Sequence, residues 1–147
     1  MDFSEIVATF AKRHGVEGLT VENGATALDI DGIAVTLVET ANSLVASAEI
    51  GEPPVEGRAD FADVLLEANL ESTAFFAKAP ETGVYVLVRR LPLAGLDSDA
   101  FDVALEALVN AAETWRRILA DFRPAAAQAA VEEESAPAFG AGGFMQV

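Results

Sequence analysis

The chain has 147 residues, 52% of them hydrophobic, with 24 acidic and 9 basic side chains and a formal charge of −15. That length suits one domain with one core, and so acidic a chain is repelled by phosphate backbones and anionic lipid, which disfavours nucleic-acid and membrane-surface roles while suiting a basic partner. With no cysteine there is no disulfide, thiolate metal site or cysteine nucleophile; no apolar run reaches the roughly 18 residues of a membrane span, the N-terminus does not read as a secretory signal, and a cytoplasmic setting is expected.

Residues 2–14 read as a helix, because Phe3, Ile6, Val7, Phe10 and Ala11 gather on one face at helical spacing. Asp2 and Glu5 suit its positive end, Lys12 and Arg13 its negative end, and Gly15 a left-handed cap. From Ala25 the period becomes two. In TALDIDGIAVTLVET the pair Asp31-Gly32 sits between two apolar alternations, which predicts a two-residue hairpin turn. SLVASAEI is a third strand with Leu44, Ala46, Ala48 and Ile50 on one face, and the prolines of GEPPVEG end the ladder.

DFADVLLEANLES (60–72) predicts a second helix with two apolar stripes. Phe61, Val64, Leu65 and Ala68 form one, and Leu66 with Leu70 widens it, which suggests contact on a second side by another subunit. STAFFAKA and GVYVLVRRL then pair around the turn PETG. Tyr85 and Leu87 face one way and Val84, Val86 and Val88 the other, so either both faces are covered or one waits for a partner. The last helix starts near Asp97-Ser98 and carries a stripe through Phe101, Leu105, Leu108, Ala112, Trp115, Leu119 and Phe122. Arg116 and Arg117 are expected to balance its C-terminal dipole, and Pro124 stops it. The segment beyond is rich in Ala, Glu and Gly, and is expected as a flexible tail.

No constellation here carries chemistry. Asp29 and Asp31 in LDIDG superficially suggest an aspartyl-phosphatase or calcium motif. The twelfth position from Asp29 is Thr40 rather than Glu, and the supporting Lys and Asp motifs are missing, so the hairpin reading stands. His14 is the only histidine, and no serine context marks a triad. GAGG at 140–143 lies between no strand and helix, so it is a spacer rather than a phosphate cradle; the flanking Phe139, Phe144 and Met145 read first as part of a disordered segment, with a short docking element as the alternative. Arg89 and Arg90 point to opposite faces of their strand, cannot form one anion clamp, and read as a solvated strand end that blunts edge aggregation, with ion pairing across an interface as the alternative. No catalytic residue, metal site or cofactor is expected.

Two blocks carry a family resemblance: LLEANL (65–70) and VLVRRLPLAGLDSDAFDVALEALVNAAETWRRIL (86–119). With the α-β-β-β-α-β-β-α order and the small acidic body, the chain resembles the class I type III secretion chaperones, the Tir-chaperone (CesT-type) family. The resemblance covers roughly residues 1–122, and its motifs are structural rather than catalytic. It implies a homodimer with the second helix at the interface, carried onto Val64, Leu65, Leu66 and Leu70. It implies a client, the unfolded N-terminal segment of a secreted effector, held on apolar patches of the first helix and sheet. That role is carried onto Phe3, Val7, Phe10, Phe76, Tyr85 and Leu87.

The expected fold is therefore α+β: one compact domain over 1–123 with a mainly antiparallel twisted sheet packed by helices, and a flexible tail over 124–147. The expected function is a non-enzymatic, dimeric, cytoplasmic chaperone that keeps a secreted effector soluble and export-competent for a type III export apparatus. The rival is a binding module of the same fold acting on a folded cytoplasmic partner; the third class is a hydrolase using Asp29 and Asp31. The FGAGGFM segment is a further expected occupant of a client site, with deletion of 124–147 tightening client binding.

Overall fold

In the computed structural model, which describes residues 1–124, the elements are α1 (Phe3–His14), β1 (Ala25–Ile30), β2 (Ile33–Glu39), β3 (Ser43–Gly51), α2 (Arg58–Ala68), β4 (Phe75–Lys78), β5 (Tyr85–Pro92) and α3 (Ser98–Asp121). The order matches the α+β expectation element for element. The expected tail, with its FGAGGFM segment, lies outside the described residues.

Local chemistry accounts for the ends of the elements. Asp2 and Glu5 form a reciprocal capping box on α1, and Gly15 closes it in the left-handed conformation. At the hairpin, Asp31 and Gly32 both have positive φ, 52° and 84°, the two-residue turn whose twist matches paired strands. Asp29 Oδ1 accepts the Gly32 N–H at 2.9 Å, so the LDIDG carboxylate serves the turn. The side chain of Asp97 accepts the Ala100 N–H at 2.8 Å and starts α3.

The five strands form one antiparallel sheet in the order β1-β2-β3-β5-β4. Its register puts Ile33, Val35, Leu37, Leu44, Ala46, Ala48, Ile50, Phe76, Tyr85, Leu87 and Leu91 on one face. These join Phe3, Ile6, Val7 and Phe10 of α1, Phe61 and Leu65 of α2, and the α3 stripe in a single buried cluster. All three helices therefore cover the same face of the sheet. The opposite face has β-branched and small residues, among them Val38, Val45, Val86 and Ala77, together with Phe75, and among the described residues no helix packs there. Of these, Val38 is 37% and Phe75 40% exposed. The second face of β5 is thus part of a sheet surface that the described helices leave uncovered.

Three expectations change. Helix α2 starts earlier, at Arg58, from a Gly57 cap that has no side-chain hydrogen bond, and it ends at Ala68. Leu70 therefore lies in the turn beyond the helix rather than on a helical stripe. Arg116 and Arg117 do not serve the C-terminus of α3: Arg116 Nη1 donates to the Gly32 carbonyl at 3.0 Å, and Arg117 pairs with Glu113 one turn back at 3.1 Å. The helix runs on to Asp121, so both arginines are a turn short of its end. Arg89 and Arg90 sit where β5 outruns β4, whose pairing stops at Val88; Arg89 Nη1 donates to Thr73 Oγ1 at 3.3 Å and Arg90 is exposed. β5 itself continues to Pro92, with Ala46 and Val45 of β3 paired to the two arginines, so they lie within the strand at a local sheet edge rather than at its end.

Candidate functional site

Two grooves with apolar floors lie at opposite edges of the sheet. The first, about 550 Å³, runs between α2 and the edge strand β4. Leu65, Phe76 and Tyr85 floor it, Ala59, Ala62 and Leu66 form the helical wall, and Arg58 and Lys78 stand at its rim. Neither cation has an ion pair or side-chain hydrogen bond among the described residues.

Asn69 closes the far side of that groove. Its Oδ1 accepts the Phe76 N–H at 2.7 Å and its Nδ2 donates to the Phe76 carbonyl at 3.5 Å. These are the backbone groups that β4 turns away from β5, so the Asn69 amide occupies the free edge as one residue of an added strand would. Of the exposed apolar residues in this region, Leu66 is 64% and Leu70 88% exposed. Val64, 38% exposed, is two positions from Leu66 and so about 160° away around the helix. The two stripes read in the sequence are thus two flanks of α2, and only the Leu66 flank borders the groove. Leu65 is buried in the core.

The second groove, about 370 Å³, lies between α1, α3 and the β1–β2 turn. Phe10, Ile30, Leu105 and Val109 floor it, with Asp31, Asp102 and Glu106 around them. An ion cluster joins α1 to α3 beside it. Arg13 Nη1 meets Asp99 at 2.9 Å and Asp102 Oδ2 at 3.0 Å, and His14 Nε2 is 3.6 Å from the same Asp102 oxygen. The hydrogen bonds that Arg13 donates to Asp102 and then to Asp99 hold its pKa above the ordinary value. His14 also stacks on Phe10 at 4.4 Å, and Phe10 meets Phe101 edge-on at 5.6 Å.

The six residues assigned to the client patch are all buried, from 1% exposure at Phe3 to 8% at Phe76. Phe3, Val7 and Leu87 are wholly within the core. Phe10 reaches the floor of the α1–α3 groove, and Phe76 and Tyr85 reach the floor of the α2–β4 groove. Sequence reading missed Arg58, Lys78, Asp102 and Glu106 as groove residues. The α3 residues were legible only as parts of a helix, and what each faces depends on non-local packing. Among the described residues no cluster of three or more His, Cys, Asp or Glu is placed to hold a metal ion, and no helix is long and apolar enough to cross a membrane.

A sequence model of the Tir chaperone protein (CesT) family matches residues 5–116. No curated protein matches the chain. Among solved structures, it is similar to a chain of the ExsC–ExsE complex at 26% identity and TM-score 0.69, over 78% of this chain and 91% of that one. It is also similar to a chain of the Yersinia pestis type III secretion chaperone SycH bound to a stable fragment of YscM2. That match has 25% identity and TM-score 0.61, over 78% of this chain and 99% of that one. A chain of the HopA1–SchA chaperone–effector complex, 17% identical with TM-score 0.62 over 80% and 98% of the two chains, shares the fold.

Proposed function

This chain belongs to the Tir chaperone protein (CesT) family, and on that premise we propose that it is a non-enzymatic, dimeric chaperone for a secreted effector. It binds the unfolded N-terminal segment of that effector and keeps it soluble and competent for a type III export apparatus. Support comes from solved relatives of the same fold, described as a type III secretion chaperone with a bound fragment and as a chaperone–effector complex. Within the chain, one observation carries the reading: two grooves at opposite sheet edges give a second copy and a client segment separate places.

The second copy is assigned to the α2 side, where Leu66 and Leu70 are already exposed and Leu65 lies beneath them; Val64 flanks the same helix. The client is assigned to the α1–α3 groove and the adjoining sheet. Phe10 is the contact residue of the six on that side, and Phe3, Val7 and Leu87 act from behind the surface by fixing its shape. Phe76 and Tyr85 floor the other groove. The acidic rim of Asp31, Asp102 and Glu106 favours a client segment that alternates apolar and basic side chains. An unfolded client loses ordering entropy on binding, so a wide surface offered twice by a dimer suits it.

The test is capture of the tagged protein with its partner from its own cells, followed by deletion of the partner's N-terminal segment. Loss of the complex with the rest of the partner still folded is the expected result. A complex that survives the deletion and joins two folded bodies would instead indicate a protein-binding module of this fold.

A further inference from the structure

Around the exposed side of α2, charge and shape follow a fixed order. Arg58 and Lys78 form a cationic rim, and the small side chains of Ala59 and Ala62 line a trough. Leu66, 64% exposed, stands as a ridge beside it. At 100° per residue, Asp63 lies about 60° and Glu67 about 100° beyond that ridge, on the side away from the trough. Neither these two acids nor the two cations have an ion pair or side-chain hydrogen bond among the described residues. Asp63 and Glu67 are four positions apart, a like-charge pair that weakens a helix, and the last turn of α2 has no base to offset an acid at its negative end. Within one chain this row is unfavourable, and a cation from outside would relieve it.

We propose that this charge order selects the partner of α2, which is a second copy of the same chain: Arg58 and Lys78 of each copy face the partner's Glu67 and the partner's Asp63, while each Leu66 ridge seats in the other's trough. The inference rests on the dimer of the proposed function and adds what decides which chain completes it. An antiparallel pair of α2 helices centred between Ala62 and Asp63 sets residue 58 opposite residue 67 and residue 59 opposite residue 66. Leu66 then meets a small side chain, each unpaired cation finds an acid, and the positive end of each helix meets the negative end of the other. Two copies of a chain with net charge −15 repel at long range, so opposite charges gathered at the contact offset that repulsion where it matters. A chain with acids in place of Arg58 and Lys78 is rejected by like charge.

The test is a charge exchange on the full chain, in two variants that differ in mass by a tag. All four positions are exposed, and circular dichroism reports whether each variant is folded. Arg58→Glu with Lys78→Glu, and separately Asp63→Lys with Glu67→Lys, are each expected to weaken self-association about tenfold or more on dilution. Mixing the two is expected to restore a dimer by native mass spectrometry, with the mixed species exceeding either self-pair. The mixed pair carries the same total charge as two unaltered copies, so its recovery reports where the charges meet rather than how many there are. Arg58→Gln with Lys78→Gln adds no repulsion, is expected to weaken the dimer by a smaller factor, and serves where a reversal disturbs folding. Folded reversal variants that dimerise as tightly as the unaltered chain, or that show no preference for each other, would overturn the proposal while leaving the dimer in place. An unaltered chain that stays monomeric at every concentration would overturn the dimer reading and this inference together.

Discussion

At the scale of single residues, Asn69 and Gly57 show how little chemistry separates a closed edge from an open one. Removing the Asn69 amide strips the Phe76 N–H of its 2.7 Å partner and exposes the free edge of β4. Asn69→Ala is expected to cost about 0.5–1.5 kcal/mol, read from the urea midpoint, and to increase self-association. Asn69→Asp, which still accepts the Phe76 N–H but cannot donate to its carbonyl, should fall between. An unchanged midpoint and no self-association in the alanine variant would contradict the edge-capping role. Gly57 combines positive φ with the approach of Pro124, whereas Gly95 has the same φ of 74° and open space, with nothing within 4 Å of where a Cβ would stand. Both alanine variants carry the backbone strain of roughly 1–3 kcal/mol, so a larger loss at Gly57 measures the contact that fixes the end of α3 on α2. Equal losses would mean that the contact gives way without cost.

Elements differ in how far they could be read in advance, and the difference is physical. The hairpin at Asp31-Gly32, the α1 cap and the α3 stripe are set by neighbours within a turn or two, so periodicity and capping residues reveal them. The bounds of α2 escape the sequence because Gly57 leaves no side-chain signature of a cap. The use of Arg116 escapes it because the acceptor, the Gly32 carbonyl, is 84 positions away. The grooves were not legible at all: Arg58 and Lys78 share a rim only because β4 is placed at the sheet edge beside α2. The same reasoning sorts the apolar residues of the helices. Phe101 is fully buried where α1 crosses α3, and Phe101→Ala is expected to destabilise by about 3–5 kcal/mol, a large share of a small domain's stability. Leu66→Asp and Leu70→Asp change exposed side chains and should leave the secondary structure of the chain intact by circular dichroism. If the proposed dimer forms through α2, light scattering should then show a monomer where the unaltered chain gives a dimer. A dimer that persists would move the interface away from α2.

At the scale of the whole molecule, the three helices crowd onto one sheet face while charge accumulates outside. That arrangement offers apolar concavities in a body whose net charge of −15 opposes collapse onto its own kind. In the function proposed above, the same charge gives the α1–α3 groove a preference for basic segments. Glu106→Lys combined with Asp31→Asn, the latter keeping a residue that tolerates positive φ, should weaken capture of a basic client segment by up to about fivefold per charge without unfolding the chain. Unaltered capture would remove Asp31 and Glu106 from the contact. The most direct test of the account is hydrogen exchange on the complex of this chain with its captured partner, compared with each alone. Protection confined to an N-terminal stretch of the partner, a stretch that exchanges freely when unbound, is the result expected of an effector-holding chaperone. Protection spread over a folded surface of the partner, with its N-terminal stretch still exchanging freely, would contradict it.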